Sequence, residues 1–248
     1  MKSVRSSLQS LMISKSESSI IIMDDSVEEY AQSNEPRDFL AQLIKDHEDL
    51  FDRLPTSLLR LNPGQWLNDE IIDIYLSRIL QPISDFHQHK IVFLSTQVYE
   101  LLKRDGSGNQ SVDQHFNKYN IGMVETYVMI CNTPGHWVTV IIKIDLETQN
   151  AHFSYYDSLV NQINLNDNLV VQISNLFTRI YECSFNWSYD CLQQKMQDNC
   201  NDCGVWALLF AESTINSYRK PNELPFPNVT NERIRILSEI KELLDLSY

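Results

Sequence analysis

Three β-rich runs, Val124 to Cys131, Trp137 to Ile144 and Ala151 to Tyr156, follow one another with links too short to hold a helix. Pro134-Gly135 sits in the first link, and Asp145 to Asn150 makes the second. Parallel neighbours need a crossover of a dozen or more residues, so the spacing predicts an antiparallel meander. Helical periodicity lies on both sides of it. Upstream, Leu67, Ile71, Ile72, Tyr75, Leu76 and Ile79 trace a helix with Asn68 or Asp69 as its cap and Pro82 as its end. Lys90 to Leu94 reads as a short strand, and Thr96 to Lys103 as a helix opened by Ser95 or Thr96. The stretch after Gly106 reads as a polar loop. Downstream, helices are predicted around Leu169 to Ile180, over Gly204 to Tyr218, and along Ile234, Leu237, Ile240 and Leu244, with a strand at Ser184 to Ser188. The fold class is therefore α+β, a central antiparallel meander flanked by helices, with no internal repeat.

The 248 residues suit one domain plus a tail. Residues 1 to 35 have ten serines and Tyr30 as their one aromatic, which predicts a flexible tail ahead of a folded domain over 36 to 248. The first turns of that domain carry a helical pattern at Phe39-Leu40, Leu43-Ile44 and Leu50-Phe51. The tail opens basic and acid-poor, but lacks the Arg density of a transit peptide. Within it, Ile20 to Asp25 is an aliphatic run closed by acids, the pattern that adds a strand to a partner's sheet edge, and it resembles a SUMO-interacting motif. For so short a motif, a plain linker or an extra strand on the chain's own sheet is the competing reading. No apolar run approaches the 18–20 residues of a membrane span, which predicts a soluble protein and no membrane partner.

Charge narrows the partners. Acidic residues number 33 against 20 basic, a net charge of −13, so the surface repels phosphate backbones and nucleic acid is not an expected partner. Five cysteines are odd in number and too few for a disulfide scaffold, which fits a reducing compartment, cytoplasmic or nuclear.

Cys203 follows Asn201-Asp202, good cap types, and opens the apolar run Val205 to Phe210. A thiol at a helix start meets unpaired N–H groups and the positive end of the helix dipole, both of which favour thiolate. Gly204 is expected to keep the approach to the sulfur open. A small buried residue at a helix start is the alternative. His136, at the start of the second meander strand, is the best-placed imidazole for a general base; His47, His87, His89 and His115 lie in polar surroundings, and the alternation around His152 does not single it out. Asp157 ends the next strand, where a carboxylate can hydrogen-bond that ring, although alone it would pass for a turn former. Attack on a carbonyl also needs an oxyanion donor, for which Gln197 competes with Gln193 and Gln194. The pair Cys200 and Cys203 invites zinc or dithiol chemistry. No second CxxC or HxxxH closes a zinc site, and the redox reading wants a strand–helix unit that the meander does not supply, so no metal or cofactor is expected.

Taken in order, Trp66-Leu67-Asn68-Asp69-Glu70-Ile71-Ile72, Gly135-His136-Trp137, Tyr155-Tyr156-Asp157-Ser158, and Gln197 with Asp202-Cys203-Gly204 resemble the ubiquitin-like-specific (Ulp, or sentrin-specific) cysteine proteases. The resemblance spans about residues 60 to 215, and translocated bacterial effectors that act as deubiquitinases share the pattern. It implies a papain-like α+β fold and cleavage after the C-terminal diglycine of ubiquitin or a ubiquitin-like modifier by a monomer without cofactor. It also implies His136 as base, Asp157 as its orienting acid, Cys203 as nucleophile and Gln197 as oxyanion donor. Trp137 and Trp66 would wall the channel for the glycine tail, with Asp69 beside it. For an effector the compartment would be the host cytosol. Cys200 departs from the family motif. A YopJ-type acetyltransferase and an inactive modifier-binding module are the competing functions. The Trp137 lid and the Trp66 motif argue against the first, and the intact set of His136, Asp157, Gln197 and Cys203 against the second.

Overall fold

The computed structural model describes residues 56–86, 90–105, 110–116, 123–159, 167–193, 197–215 and 228–245. Residues Thr56–Ile240 make one compact unit. Its centre is a five-stranded sheet in the order β1-β2-β3-β4-β5, with β1 Ile91–Leu94, β2 Thr126–Thr133, β3 His136–Asp145, β4 Asn150–Asp157 and β5 Asn186–Gln193. β2, β3 and β4 form the expected antiparallel meander; β1 pairs parallel with β2, and β5 parallel with β4. Those two parallel neighbours arise because helices bridge them. α3 (Thr96–Asp105) and α4 (Gln110–Phe116) carry the chain from β1 to β2, and α5 (Asp167–Tyr181) carries it from β4 to β5.

Both faces of the sheet are covered, so its middle strands are apolar almost without a break. Six of the eight residues of β2 are buried, and in β3 the first seven positions are all buried. Toward one face, Tyr127, Met129, Val138, Val140, Ile142, Phe153 and Tyr155 join Val98 and Leu102 of α3, Val112 and Phe116 of α4, and Ile173, Leu176 and Phe177 of α5 in one core cluster. Phe116, Tyr127 and Phe177 pack edge-on or tilted in that cluster. α6 (Cys203–Ser213) packs against β3, where Thr139 Oγ1 donates to the Ala207 carbonyl at 2.9 Å. α6 is apolar on every side and buried along its length, as a helix at the centre of a fold must be. The nucleophile candidate thus starts a helix locked inside the protein.

Asn68 caps α1 (Asp69–Ile74), its Oδ1 accepting from the Ile71 N–H at 3.2 Å. Pro82 does not end the helix as expected. The chain widens into a π-helical segment, Tyr75–Leu80, in which the Gln81 N–H donates to the Leu76 carbonyl five residues back, and it then continues as α2 (Gln81–Phe86). The wider turn puts Pro82 in the first turn of α2, where a missing N–H costs least. α4 replaces the predicted polar loop after Gly106: it has only Val112 and Phe116 to bury, too few for a periodic signal. β5 runs past Ser188 to Gln193 because parallel pairing with β4 carries its polar residues along. α6 stops at Ser213, short of the predicted Tyr218. The last helix, α7 (Val229–Asp245), lies where it was expected. The helical pattern at Phe39 to Phe51 and the Ile20 to Asp25 run lie outside the described residues.

Candidate active site

The tight β2–β3 turn places His136 as the first residue of β3. Thr133 pairs with His136 in the ladder, Thr133 Oγ1 donates to the His136 carbonyl at 3.0 Å, and Gly135 takes φ of +72°, a backbone state that favours glycine. A side chain at Gly135 would also stand 3.3 Å from the Trp66 ring. Asp157 ends β4 on the neighbouring strand. Sheet register brings its Oδ1 to 2.6 Å from His136 Nε2, with both side chains buried. The Leu159 N–H donates to the same Oδ1 at 2.8 Å and holds the carboxylate in place.

Burial alone would strip the proton from His136. The hydrogen bond to Asp157, the Cys203 thiol and the charges of both outweigh it and raise the ring from 6.5 to about 9. Asp157 occupies Nε2, and Nδ1 makes no formed hydrogen bond, so the effect of Cys203 on the ring is one of proximity. His136 thus holds its proton more tightly than a free imidazole, beside a sulfur that begins a helix.

Cys203 is buried at the first position of α6. Asp202 holds the N-cap position, yet its carboxylate makes no capping bond to the helix N–H groups. Gly204 was expected to leave the sulfur open. Instead the space is filled: a Cβ there would lie 2.8 Å from Leu67 Cβ, so glycine lets the 56–68 arm pack onto the helix start. That arm ends in the Asn68 cap and carries Trp66, whose Nε1 donates to Asn201 Oδ1 at 3.2 Å.

Gln197 is buried near this turn with its amide held at both ends. Ser158 Oγ donates to its Oε1 at 2.8 Å, and its Nε2 donates to the Asn199 carbonyl at 2.7 Å, leaving one amide hydrogen to give. Ser158 was quoted in the motif but given no role; its position directly after Asp157 was the available signal. Gln193 ends β5 opposite Asp157 in the ladder, and Gln194 lies outside the described residues. Cys200 is exposed and Cys203 buried, and both are free thiols. His152 bonds Ser188 and Asp190 across β4 and β5, away from this cluster, and His115 lies on α4. Among the described residues no three His, Cys, Asp or Glu side chains gather as a metal site, and no helix is long and apolar enough to cross a membrane.

A cavity of about 360 Å³ opens beside His136, lined by Trp66, Asp69, Gly135 and Trp137 among others. The two tryptophans differ in kind. Trp137 is 5% exposed, with its Nε1 donating to the Leu67 carbonyl at 2.8 Å, and forms a fixed wall. Trp66 is 42% exposed and forms the open edge.

A buried His–Asp pair beside a helix-start cysteine is the arrangement of enzymes that use a cysteine nucleophile. A family model for the catalytic domain of the Ulp1 protease family matches residues 65–248, and the chain belongs to that family and is a cysteine protease. Its fold is that of solved family members. The Ulp1 protease domain bound to Smt3, the yeast ortholog of SUMO, is 19% identical with a TM-score of 0.59, covering 73% of this chain and 79% of that one. A de-sumoylating protease is 18% identical with a TM-score of 0.58 over 75% and 84% of the two chains. An Ulp1-like SUMO protease catalytic domain from Chaetomium thermophilum is 16% identical with a TM-score of 0.53 over 72% and 74%. A comparison with curated protein sequences finds no match.

Proposed function

We propose that residues 36–248 form a catalytic domain that cleaves after the C-terminal diglycine of ubiquitin or a ubiquitin-like modifier, with Cys203 as nucleophile, His136 as acid and base, Asp157 as its orienting acid and Gln197 as oxyanion donor. The observation that carries this reading is the buried His136–Asp157 bond of 2.6 Å beside a cysteine at the start of α6. Cys203 thiolate attacks the glycine carbonyl, and the oxygen takes the negative charge near the Cys203 N–H and the free amide hydrogen of Gln197. Collapse breaks the C–N bond as His136 gives its proton to the leaving amine. His136 then takes a proton from water, the hydroxide adds to the thioester, and the carboxylate leaves the restored thiolate. Trp66, Trp137 and Asp69 line the cavity beside His136, and on this reading the tryptophans wall the path of the side-chain-free glycines.

Several of the similar solved structures are described as SUMO proteases, which supports a modifier as substrate. The net charge of −13 favours encounter with a basic binding face, that of ubiquitin or the Nedd-type modifier, over acidic SUMO. The test is a panel of ubiquitin, SUMO and Nedd-type probes with a C-terminal thiol-reactive warhead, run at low and high salt. Labelling of Cys203 by at least one probe is expected, with ubiquitin or Nedd-type fastest. No labelling by any of them overturns the substrate class; SUMO labelling tenfold faster than ubiquitin at both salt levels overturns the preference.

A further inference from the structure

Arg233 lies on α7, thirty residues beyond Cys203, and outside every motif of the site. It is 1% exposed, among the largest fully buried side chains described. A guanidinium is buried only when its donors are met. Here Nη1 donates to the carbonyls of Arg60 at 3.1 Å and Asn62 at 3.3 Å. Nη2 donates to those of Gln65 at 2.8 Å and Asn201 at 3.1 Å. Nε and Nη2 both reach Asp202 Oδ1, at 3.1 and 2.7 Å. One side chain thus bonds the residue before Trp66 and the two residues before Cys203.

The partner choice is informative. Asp202 is at the N-cap, the position from which a carboxylate ordinarily takes up the first N–H groups of a helix. Its own carboxylate instead accepts from Arg233 and, through Oδ2, from Asn199 Nδ2 at 2.7 Å. The N–H groups of α6 are left for an incoming oxyanion, and the negative charge adjoining Cys203 is matched by a fixed positive one. Unmatched, that carboxylate would oppose thiolate formation next door.

We infer that Arg233 is a positioning residue for the nucleophile: it turns the Asp202 carboxylate away from the helix start, cancels its charge beside Cys203, and holds the Trp66 arm and the nucleophile turn as one piece. This rests on Cys203 being the nucleophile. Among the described residues, the charged groups placed around the start of α6 are His136 from β3, with Asp157 of β4 behind it, Asp202 from its own turn and Arg233 from α7.

The experiment reads the sulfur directly, by iodoacetamide, which forms an S–C bond and expels iodide. The rate at Cys203 is followed by mass spectrometry from pH 5 to 9 on the full chain. Arg233→Gln is expected to alkylate about tenfold more slowly than wild type at pH 6, the order expected of one uncompensated neighbouring charge. Asp202→Asn added to Arg233→Gln should bring the rate back to within about threefold. A purely structural role predicts no such rescue, since the second change removes a further bond. Asp202→Asn alone, which keeps the four carbonyl contacts of Arg233, should alkylate about threefold faster at pH 6, and this variant decides the matter if Arg233→Gln does not fold. Unchanged pH profiles in the folded variants, or a double variant as slow as the single, overturn the inference. Failure of the modifier probes on wild type would sink the substrate reading while leaving these alkylation profiles interpretable.

Discussion

The two halves of the site are held by different means. His136 and Asp157 stand 21 residues apart on neighbouring strands, and the ladder that pairs β3 with β4 delivers one to the other. The Cys203 turn depends on groups brought from far along the chain: Trp66 reaches Asn201 across 135 residues, Leu67 fills the space over Gly204, and Arg233 joins Asn201 and Asp202 to carbonyls some 170 residues away. The His136–Asp157 half, proposed as acid and base, inherits its geometry from backbone register. The Cys203 half, proposed as nucleophile, inherits it from side chains, so single substitutions should disturb it more easily.

Removing the sulfur is the largest expected effect. Cys203→Ala should abolish labelling by modifier probes, whereas Cys200→Ala, at an exposed position, should keep most of it. Labelling that survives the first change and is lost with the second would move the nucleophile to Cys200. On the other half, Asp157→Asn should cost about 10⁴-fold in kcat, less than loss of the nucleophile, because the oxyanion hole and binding still contribute. Equal inactivation in a variant that folds normally would show that the two halves are not separable.

Ser158 joins the halves, following Asp157 in the chain and fixing the Gln197 amide. Ser158→Ala frees that amide to flip, and kcat is expected to fall roughly tenfold with KM little changed. Rescue by Ser158→Thr, which keeps the hydroxyl, distinguishes orientation from packing. A rise in KM alone would place Ser158 in substrate binding.

The smallest expected effect is on stability with pH. His136 is raised from an unfolded value near 6.5 to about 9 in the fold, so the native state binds its proton more tightly. The stabilisation from this is complete below about pH 6.5 and is lost as pH rises through about 9. Urea midpoints measured from pH 6 to 10 should decline in wild type and decline less in Asp157→Asn. Parallel curves would mean that Asp157 does not hold the proton.

The pairing of His136 with Asp157 was readable because each signal is short-range: a two-residue turn before His136, and a strand end at Asp157. The Cys203 helix start was likewise visible from Asn201-Asp202 and the apolar run that follows. Gly204 was misread as access to the sulfur, because nothing near it in the chain announces Leu67. Pro82 was misread as a stop, since a π-helical segment depends on what the helix packs against rather than on local propensity. α4 was missed because two buried residues do not make a period.

By itself, then, the amino-acid order determined the meander, the helix that begins at Cys203 and the identity of the His, Asp, Gln and Cys side chains, since alternation, turn residues and cap types act over a few positions. Only the tertiary structure decided that Arg233, one charged residue in an amphipathic helix, would be buried against the nucleophile turn. A buried guanidinium is tolerated where six acceptor contacts meet it, and those acceptors come from two segments, 60–65 and 201–202, that only folding brings to α7.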